Sequence, residues 1–261
     1  MSSDIRPPAD GLLIDLDGTV WEDGILIPGA ADAIDTLRKA GIPFRFLTNT
    51  TRKPRSRVVE EITRLGIETS VAECFNAPAA AAIWLGKRGV NRVSLLLAEA
   101  SFEDFPDFEI DNEAPEAVVI GDLGRDWTFD ILDRAFRALL AGAELVALQK
   151  NRYWKTAGTF SLDAGPFVAA LEYATGRDAC LVGKPSRELF HTLAGELELP
   201  PERVAMVGDD LHADIEGARA AGLQAVALRT GKYRPENEER ARAAATIVLD
   251  SLGDLPAWLG I

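Results

Sequence analysis

Cysteine is scarce: two residues, Cys74 and Cys180, in a chain of 261. So few exclude a cysteine zinc cluster, and two distant thiols read as buried groups of a reducing compartment. Histidine is equally rare. His191 and His212 are the only two, and neither pairs with a Ser or Cys in a triad-like pattern, so neither is expected to be essential. Positive charge is short as well, with 28 Lys and Arg against 41 Asp and Glu, a net charge of −13. Such a surface has little to neutralise a phosphate backbone, which argues against nucleic acid and anionic membrane as partners. A small phosphorylated ligand stays compatible, since one site can be locally positive. No apolar run reaches the ~18 residues of a membrane helix. The opening "MSSDIRPPAD" has no apolar signal core, so a cytoplasmic protein is expected. Five tryptophans are too scattered for a base-stacking platform. No Gly- or Ser-rich linker marks a domain boundary.

What is present is a rhythm. Short apolar runs alternate with helix-like segments. The runs are "LLID" (12–15), "PFRFLTN" (43–49), "RVSLLLA" (92–98), "AVVIGD" (117–122), "ELVALQ" (144–149), "ACLVG" (179–183), "VAMVGDD" (204–210) and "QAVALRT" (224–230). Continuous Val, Leu and Ile predict strands buried on both faces. The intervening segments carry apolar residues at helical spacing and end at Gly41, Gly66, Gly89, Gly142, Gly176 and Gly222, where left-handed caps are expected. Strand–helix alternation predicts parallel sheets with helices on both faces.

Parallel sheets hold ligands at the carboxyl ends of their strands. Asp15, Asp17, Gly18 and Thr19 follow the first run; Thr48, Asn49 and Thr50 the second. Lys184 follows "ACLVG", and Asp209, Asp210 and Asp214 follow "VAMVG". Each cluster alone has a bland reading. Asp-Gly is usually a turn, Lys-Pro a solvated loop, and "GDDLHAD" a helix start with carboxylates on its dipole. Four such clusters at strand ends, in this order, are not bland. Asp15 and Asp17 also share a strand face at i and i+2, so both can approach one ligand.

The order "DLDGT", "LTNT", "GKPS", "VGDDLHADIEGA" resembles the four signature motifs of the haloacid dehalogenase superfamily of hydrolases, over nearly the whole chain. Thr48 and Lys184 lie 136 positions apart, far more than one strand–helix unit needs. That spacing is similar to the branch with a large α/β cap inserted between the second and third motifs (class IIA, nitrophenylphosphatase-like). "LQKNRYWK", "GPFVAALEYATGRDACLVGKPS" and "LRTGKYRPENEE" further resemble the phospholysine phosphohistidine inorganic pyrophosphate phosphatases and their hydrolase-domain-containing relatives. The resemblance implies an α/β fold: a Rossmann-like core of residues 1–77 and 178–261, with a C2-type α/β cap of residues 78–177 inserted.

It also implies roles. Asp15 would be the nucleophile that forms an aspartyl-phosphate. Asp17 would give a proton to the leaving oxygen and take one from the hydrolytic water. Gly18 would allow the tight turn that Thr19 fixes. A carboxylate and a phosphate dianion ~4 Å apart repel by roughly 8 kcal/mol at an effective dielectric near 20. Mg²⁺ held by Asp15, Asp209 and the backbone carbonyl of Asp17 would offset this, with Lys184 adding a fixed charge. The Thr48 hydroxyl and the N–H groups of Asn49 and Thr50 would hold phosphate oxygens. Asp210 and Asp214 would orient metal waters and Lys184.

These motifs see only phosphate and leaving oxygen, so discrimination among esters falls to whatever covers the site. "QKNRYWKTAG" (149–158), with Asn151, Tyr153, Trp154 and Lys155, is the candidate, against the alternatives of an exposed basic loop or a dimer contact through the cap. "GKYRPENEE" (231–239) reads as a solvated loop. The expected activity is a Mg²⁺-dependent phosphatase of a small phosphorylated metabolite. Pyrophosphate and the phosphoramidates of Lys and His are the alternative substrates. A phospho-acceptor receiver domain would be about half this length, with adjacent acidic residues. Dehalogenation needs no metal, phosphonate cleavage needs a Schiff-base lysine, and a silent binding fold would not retain every motif residue.

Overall fold

The structure, a computed structural model, describes residues 8–156 and 159–261, and for 154–156 and 159–160 the backbone alone. By internal contacts the chain forms two compact units. One comprises the described part of Met1–Thr48 with Val59–Phe75 and Lys184–Ile261; the other comprises Asn49–Val58 and Asn76–Gly183.

The first unit is built on a six-stranded sheet in the order Ile247–Leu249, Gln224–Leu228, Val204–Gly208, Gly11–Asp15, Phe44–Thr48, Cys74–Asn76. Gly11–Asp15 pairs in parallel with both neighbours, Ile14 opposite Val207 and Asp15 opposite Leu47. The strands were expected to be buried on both faces, and Leu12, Leu13 and Ile14 are all 0 % exposed. Helices Ala30–Lys39 and Arg187–Glu196 bury Ile34 and Leu37, and Leu189, Phe190 and Leu193, respectively. From Gly11–Asp15 the chain builds to one side of the sheet and later returns on the other. That reversal opens a crevice at the carboxyl ends of the central strands, the usual seat of a ligand in such sheets.

The second unit has a five-stranded sheet in the order Cys180–Leu181, Glu144–Ala147, Ala117–Ile120, Arg92–Leu96, Glu109–Ile110. All of its pairings are parallel. Helix Ala77–Lys87 supplies Ala77, Ala81 and Leu85 to one apolar cluster. Helices Phe129–Leu140 and Gly165–Thr175 supply Ala135, Leu139, Val168 and Leu171 to the other. The fold class is therefore the expected one, α/β with parallel sheets. The six glycine stops all have positive φ, from 65° at Gly176 to 115° at Gly142.

The unit edges differ from the expected numbers. Cys180–Leu181 pairs with Glu144–Ala147, so residues up to Gly183 count with the second unit. The run "ACLVG" looks like any buried strand, and sequence does not say which sheet it joins. Residues 49–58 also count with the second unit. There the main-chain N–H of Asp122 donates to Thr51 Oγ1 at 3.1 Å, and Arg55 Nε meets Asp104 at 3.0 Å. The segment proposed for specificity is not simply a loop: Tyr153–Thr156 pairs antiparallel with Thr159–Leu162.

Candidate active site

The central strand delivers Asp15 to the sheet edge at 6 % exposure. The adjacent strand Val204–Gly208 delivers Asp209 at 5 %, and Phe44–Thr48 ends in Thr48, also at 5 %. Lys184, 6 % exposed, contacts Asp15 through Nζ and meets Asp214 Oδ1 at 2.7 Å. Asp214 is fully buried. It lies in a wide helical turn, Leu211–Glu216, where the Ile215 N–H reaches Asp210 O at 3.3 Å. A Cβ on Gly208 would stand 2.2 Å from Asp214 Oδ2, so only glycine lets that carboxylate pack against the strand end. Asp210 caps the turn, accepting from the N–H groups of His212 and Ala213 at 3.0 and 2.9 Å.

Carboxylate oxygens of Asp15, Asp209 and Asp214 lie within 4.8 Å of one another. Fully ionised, three carboxylates and one ammonium would carry two excess negative charges in a buried space. Burial pushes the Asp15 carboxyl up, with Asp214 and Asp209 adding to the shift and Lys184 opposing it. Burial would lower the Lys184 ammonium, but Asp15 and Asp214 outweigh it and hold it above the usual lysine range. Asp209 is pushed up to about 6, by burial and then by Asp214, against the Lys232 N–H. Asp209 Oδ1 is buried and has no hydrogen-bond partner among the described residues. An orphaned carboxylate oxygen in an all-oxygen cluster with two excess negative charges fits a hard divalent cation.

The other expected residues fall as follows. Asp17 is exposed, and its Oδ1 accepts from Trp21 Nε1 at 2.8 Å. Gly18 turns the chain at φ 86 as expected. Thr19 does not fix that turn through its hydroxyl, which is buried without a partner among the described residues; its main-chain N–H reaches Leu16 O at 3.2 Å instead. Asn49 and Thr50 are half-buried and count with the second unit. There, Asn151 donates to Gln149, whose Nε2 donates to the buried Asp163 at 2.9 Å. Tyr153 is 58 % exposed. The side chains of Trp154 and Lys155 lie outside the described residues. His191 serves the fold, its Nε2 2.8 Å from Ala221 O, and His212 is exposed beside Glu216.

One element escaped the sequence reading. "TGKY" is not merely a solvated loop. The Lys232 N–H donates to Asp209 Oδ2 at 2.7 Å, and its Nζ meets Asp210 at 2.9 Å. Thr230 Oγ1 donates to Gly18 O. Gly231, at φ 54, passes so close that a Cβ would stand 2.1 Å from Asp209 Oδ2 and 2.6 Å from Gly18 Cα. The loop thus occupies one oxygen of Asp209 and leaves the other open. It follows strand Gln224–Leu228 directly, so the strand-end rule that located the other clusters also pointed here.

Residues 12–108 match the haloacid dehalogenase-like hydrolase family, and residues 181–255 match a second family described as HAD-hydrolase-like. A haloacid dehalogenase-like hydrolase domain-containing protein 2 of Rattus norvegicus is 36% identical over 240 residues, 92% of each chain. A phospholysine phosphohistidine inorganic pyrophosphate phosphatase of Danio rerio is 36% identical over 250 residues, 93% of this chain and 91% of that one. A solved 4-nitrophenylphosphatase from Thermotoga maritima superposes with a TM-score of 0.85 at 28% identity, covering 96% of this chain and 97% of that one. The chain belongs to the haloacid dehalogenase-like hydrolase family. Within it, this enzyme groups with the phosphatases.

Proposed function

We propose that the chain is a Mg²⁺-dependent phosphatase of a small phosphorylated metabolite, working through an aspartyl-phosphate on Asp15. One observation carries the reading: a buried carboxylate at the central strand end is paired with a buried lysine, with two further carboxylates within 4.8 Å. An Asp15 oxygen attacks phosphorus while the bond to the leaving oxygen breaks, and Asp17 supplies that oxygen with a proton. Water then gives a proton to the Asp17 carboxylate and attacks phosphorus. The bond to Asp15 breaks and phosphate leaves. Lys184 favours the ionised form of Asp15 against its burial, orients it, and faces the developing charge. Thr48 offers its hydroxyl to a phosphate oxygen. Asp15, Asp209 and the Asp17 carbonyl would hold Mg²⁺, which supplies the positive charge that lets two anions meet. Asp214, engaged by Lys184, is a positioning group.

The metal is testable without turnover. Mg²⁺ is expected to raise the thermal midpoint of EDTA-treated protein, because a ligand bound only to the native state stabilises it. Asp209→Asn should abolish that rise. Hydrolysis of p-nitrophenyl phosphate should need Mg²⁺ and stop in EDTA. Full activity in EDTA, or a Mg²⁺ response that survives Asp209→Asn, contradicts the assignment.

The loop after strand Gln224–Leu228 gives a second prediction. Gly231→Ala forces Cβ into Asp209 and Gly18, and should cost at least about tenfold in turnover. Gly222→Ala is the control: it shares a positive φ, but nothing lies within 4 Å of its Cβ. It should cost about 1 kcal/mol of backbone strain and little activity. Equal losses of turnover in the two variants would show that the loop merely turns the chain.

The relatives narrow the range of substrates to test. The relative from Danio rerio is named for phospholysine, phosphohistidine and inorganic pyrophosphate, which makes pyrophosphate and phosphoramidates the second reading. A panel of these with small phosphate esters decides between the two by kcat/KM. Among the described residues no helix is long and apolar enough to cross a membrane.

A further inference from the structure

We propose that Trp21 is a positioning residue for Asp17, its indole N–H holding the carboxyl in one orientation for proton transfer. The inference rests on Asp17 being the proton donor in the reading above. Proton transfer needs the donor within hydrogen-bond reach of the leaving oxygen. Yet Asp17 is exposed, between the buried Leu16 and Gly18. An exposed carboxyl at a strand end has several staggered rotamers open to it. Trp21 Nε1 selects among them by donating to Asp17 Oδ1 at 2.8 Å. An indole can only donate, so Oδ1 is engaged as its acceptor and the carboxyl plane is fixed by that bond.

Trp21 is itself firmly mounted. It is 7 % exposed. Its main-chain N–H donates to Leu16 O at 3.2 Å, and its carbonyl accepts from the Gly18 N–H at 2.6 Å. It opens a two-residue strand, Trp21–Glu22, paired antiparallel with Ile25–Leu26. Asp23 at φ 50 and Gly24 at φ 78 close the hairpin with the two left-handed residues that such a turn requires. The hairpin therefore buries a ring and aims its one polar atom at the carboxyl two residues after Asp15.

A buried indole also takes whatever acceptor is near, in which case the bond would serve the hairpin alone. The two accounts part on leaving groups. p-Nitrophenolate departs with little protonation, whereas the more basic phenolate of phenyl phosphate depends on it, and the two esters are close in shape. Trp21→Phe keeps an aromatic ring, though a smaller one, and deletes the donor. General acid catalysis is worth about 10²- to 10⁴-fold, and a misaimed acid forfeits part of it. kcat/KM for phenyl phosphate should therefore fall at least about tenfold, while p-nitrophenyl phosphate loses less than about threefold. Equal loss on both esters, or no loss, overturns the proposal. Asp17→Asn on the same pair separates the two levels. If it too spares neither ester preferentially, Asp17 is not the acid and the underlying reading fails. If Asp17→Asn discriminates and Trp21→Phe does not, the role of Trp21 alone falls. Should Trp21→Phe fold poorly, the five indole N–H resonances of the ¹⁵N-labelled protein decide. Asp17→Ala should move one of them strongly, and a spectrum in which none moves overturns the proposal.

Discussion

Replacing Asp15 by Asn is expected to bring p-nitrophenyl phosphate turnover below about one per cent of wild type, because removing a nucleophile typically costs many decades. The loss should be chemical rather than structural. Asp15 sits in a buried cluster with Asp209, Asp214 and Lys184. Asn has the same shape, relieves the crowding of buried carboxylates and leaves Lys184 its contact with Asp214, so the thermal midpoint in EDTA should not fall. Turnover, circular dichroism and the melting curve check both halves. Activity above one per cent would remove Asp15 from the covalent role. A collapsed fold would make the loss uninformative, and Asp15→Ser would then be measured in its place.

The second large effect is on stability. Lys184→Met should destabilise the metal-free protein by about 3–5 kcal/mol, the usual cost of removing one partner of a buried ion pair. The Lys184 side chain is 4% exposed and meets two carboxylates. Without it three buried carboxylates face one another with no cation. At roughly 2–4 °C per kcal/mol for chains of this size, the midpoint should drop by about ten degrees. Adding Asp214→Asn to Lys184→Met should recover part of the loss by removing one of the stranded charges. Calorimetry in EDTA reads all three proteins. An unchanged midpoint for Lys184→Met would mean that the cluster is solvated and the excess-charge argument fails.

The placement of the candidate side chains was legible because a parallel sheet sends strand-end residues to one edge, and Asp15, Thr48 and Asp209 stand where their apolar runs stop. Lys184 follows a run that joins the other sheet, yet it reaches Asp15. Runs and spacings carried the fold class. Less was written for elements that work through the backbone. Gly231 and the Lys232 N–H act by the absence of a Cβ and by a main-chain donor, and neither leaves a side-chain signature. Trp21 acts through a single bond across four positions, invisible until the hairpin is seen to turn the ring toward Asp17. Strands as short as Cys74–Asn76 and Ile247–Leu249 carry too few residues for any period to show.

The central claim is that Asp15 becomes phosphorylated. Acid quench of the enzyme turning over p-nitrophenyl phosphate with Mg²⁺, followed by borohydride reduction and mass spectrometry of the Asp15 peptide, tests it directly. Reduction of an acyl phosphate converts aspartate to homoserine, a residue found nowhere else in the chain. The account expects that conversion at Asp15, dependent on both substrate and Mg²⁺. Sustained turnover with an unmodified Asp15 peptide, or conversion at a different carboxylate, would contradict it.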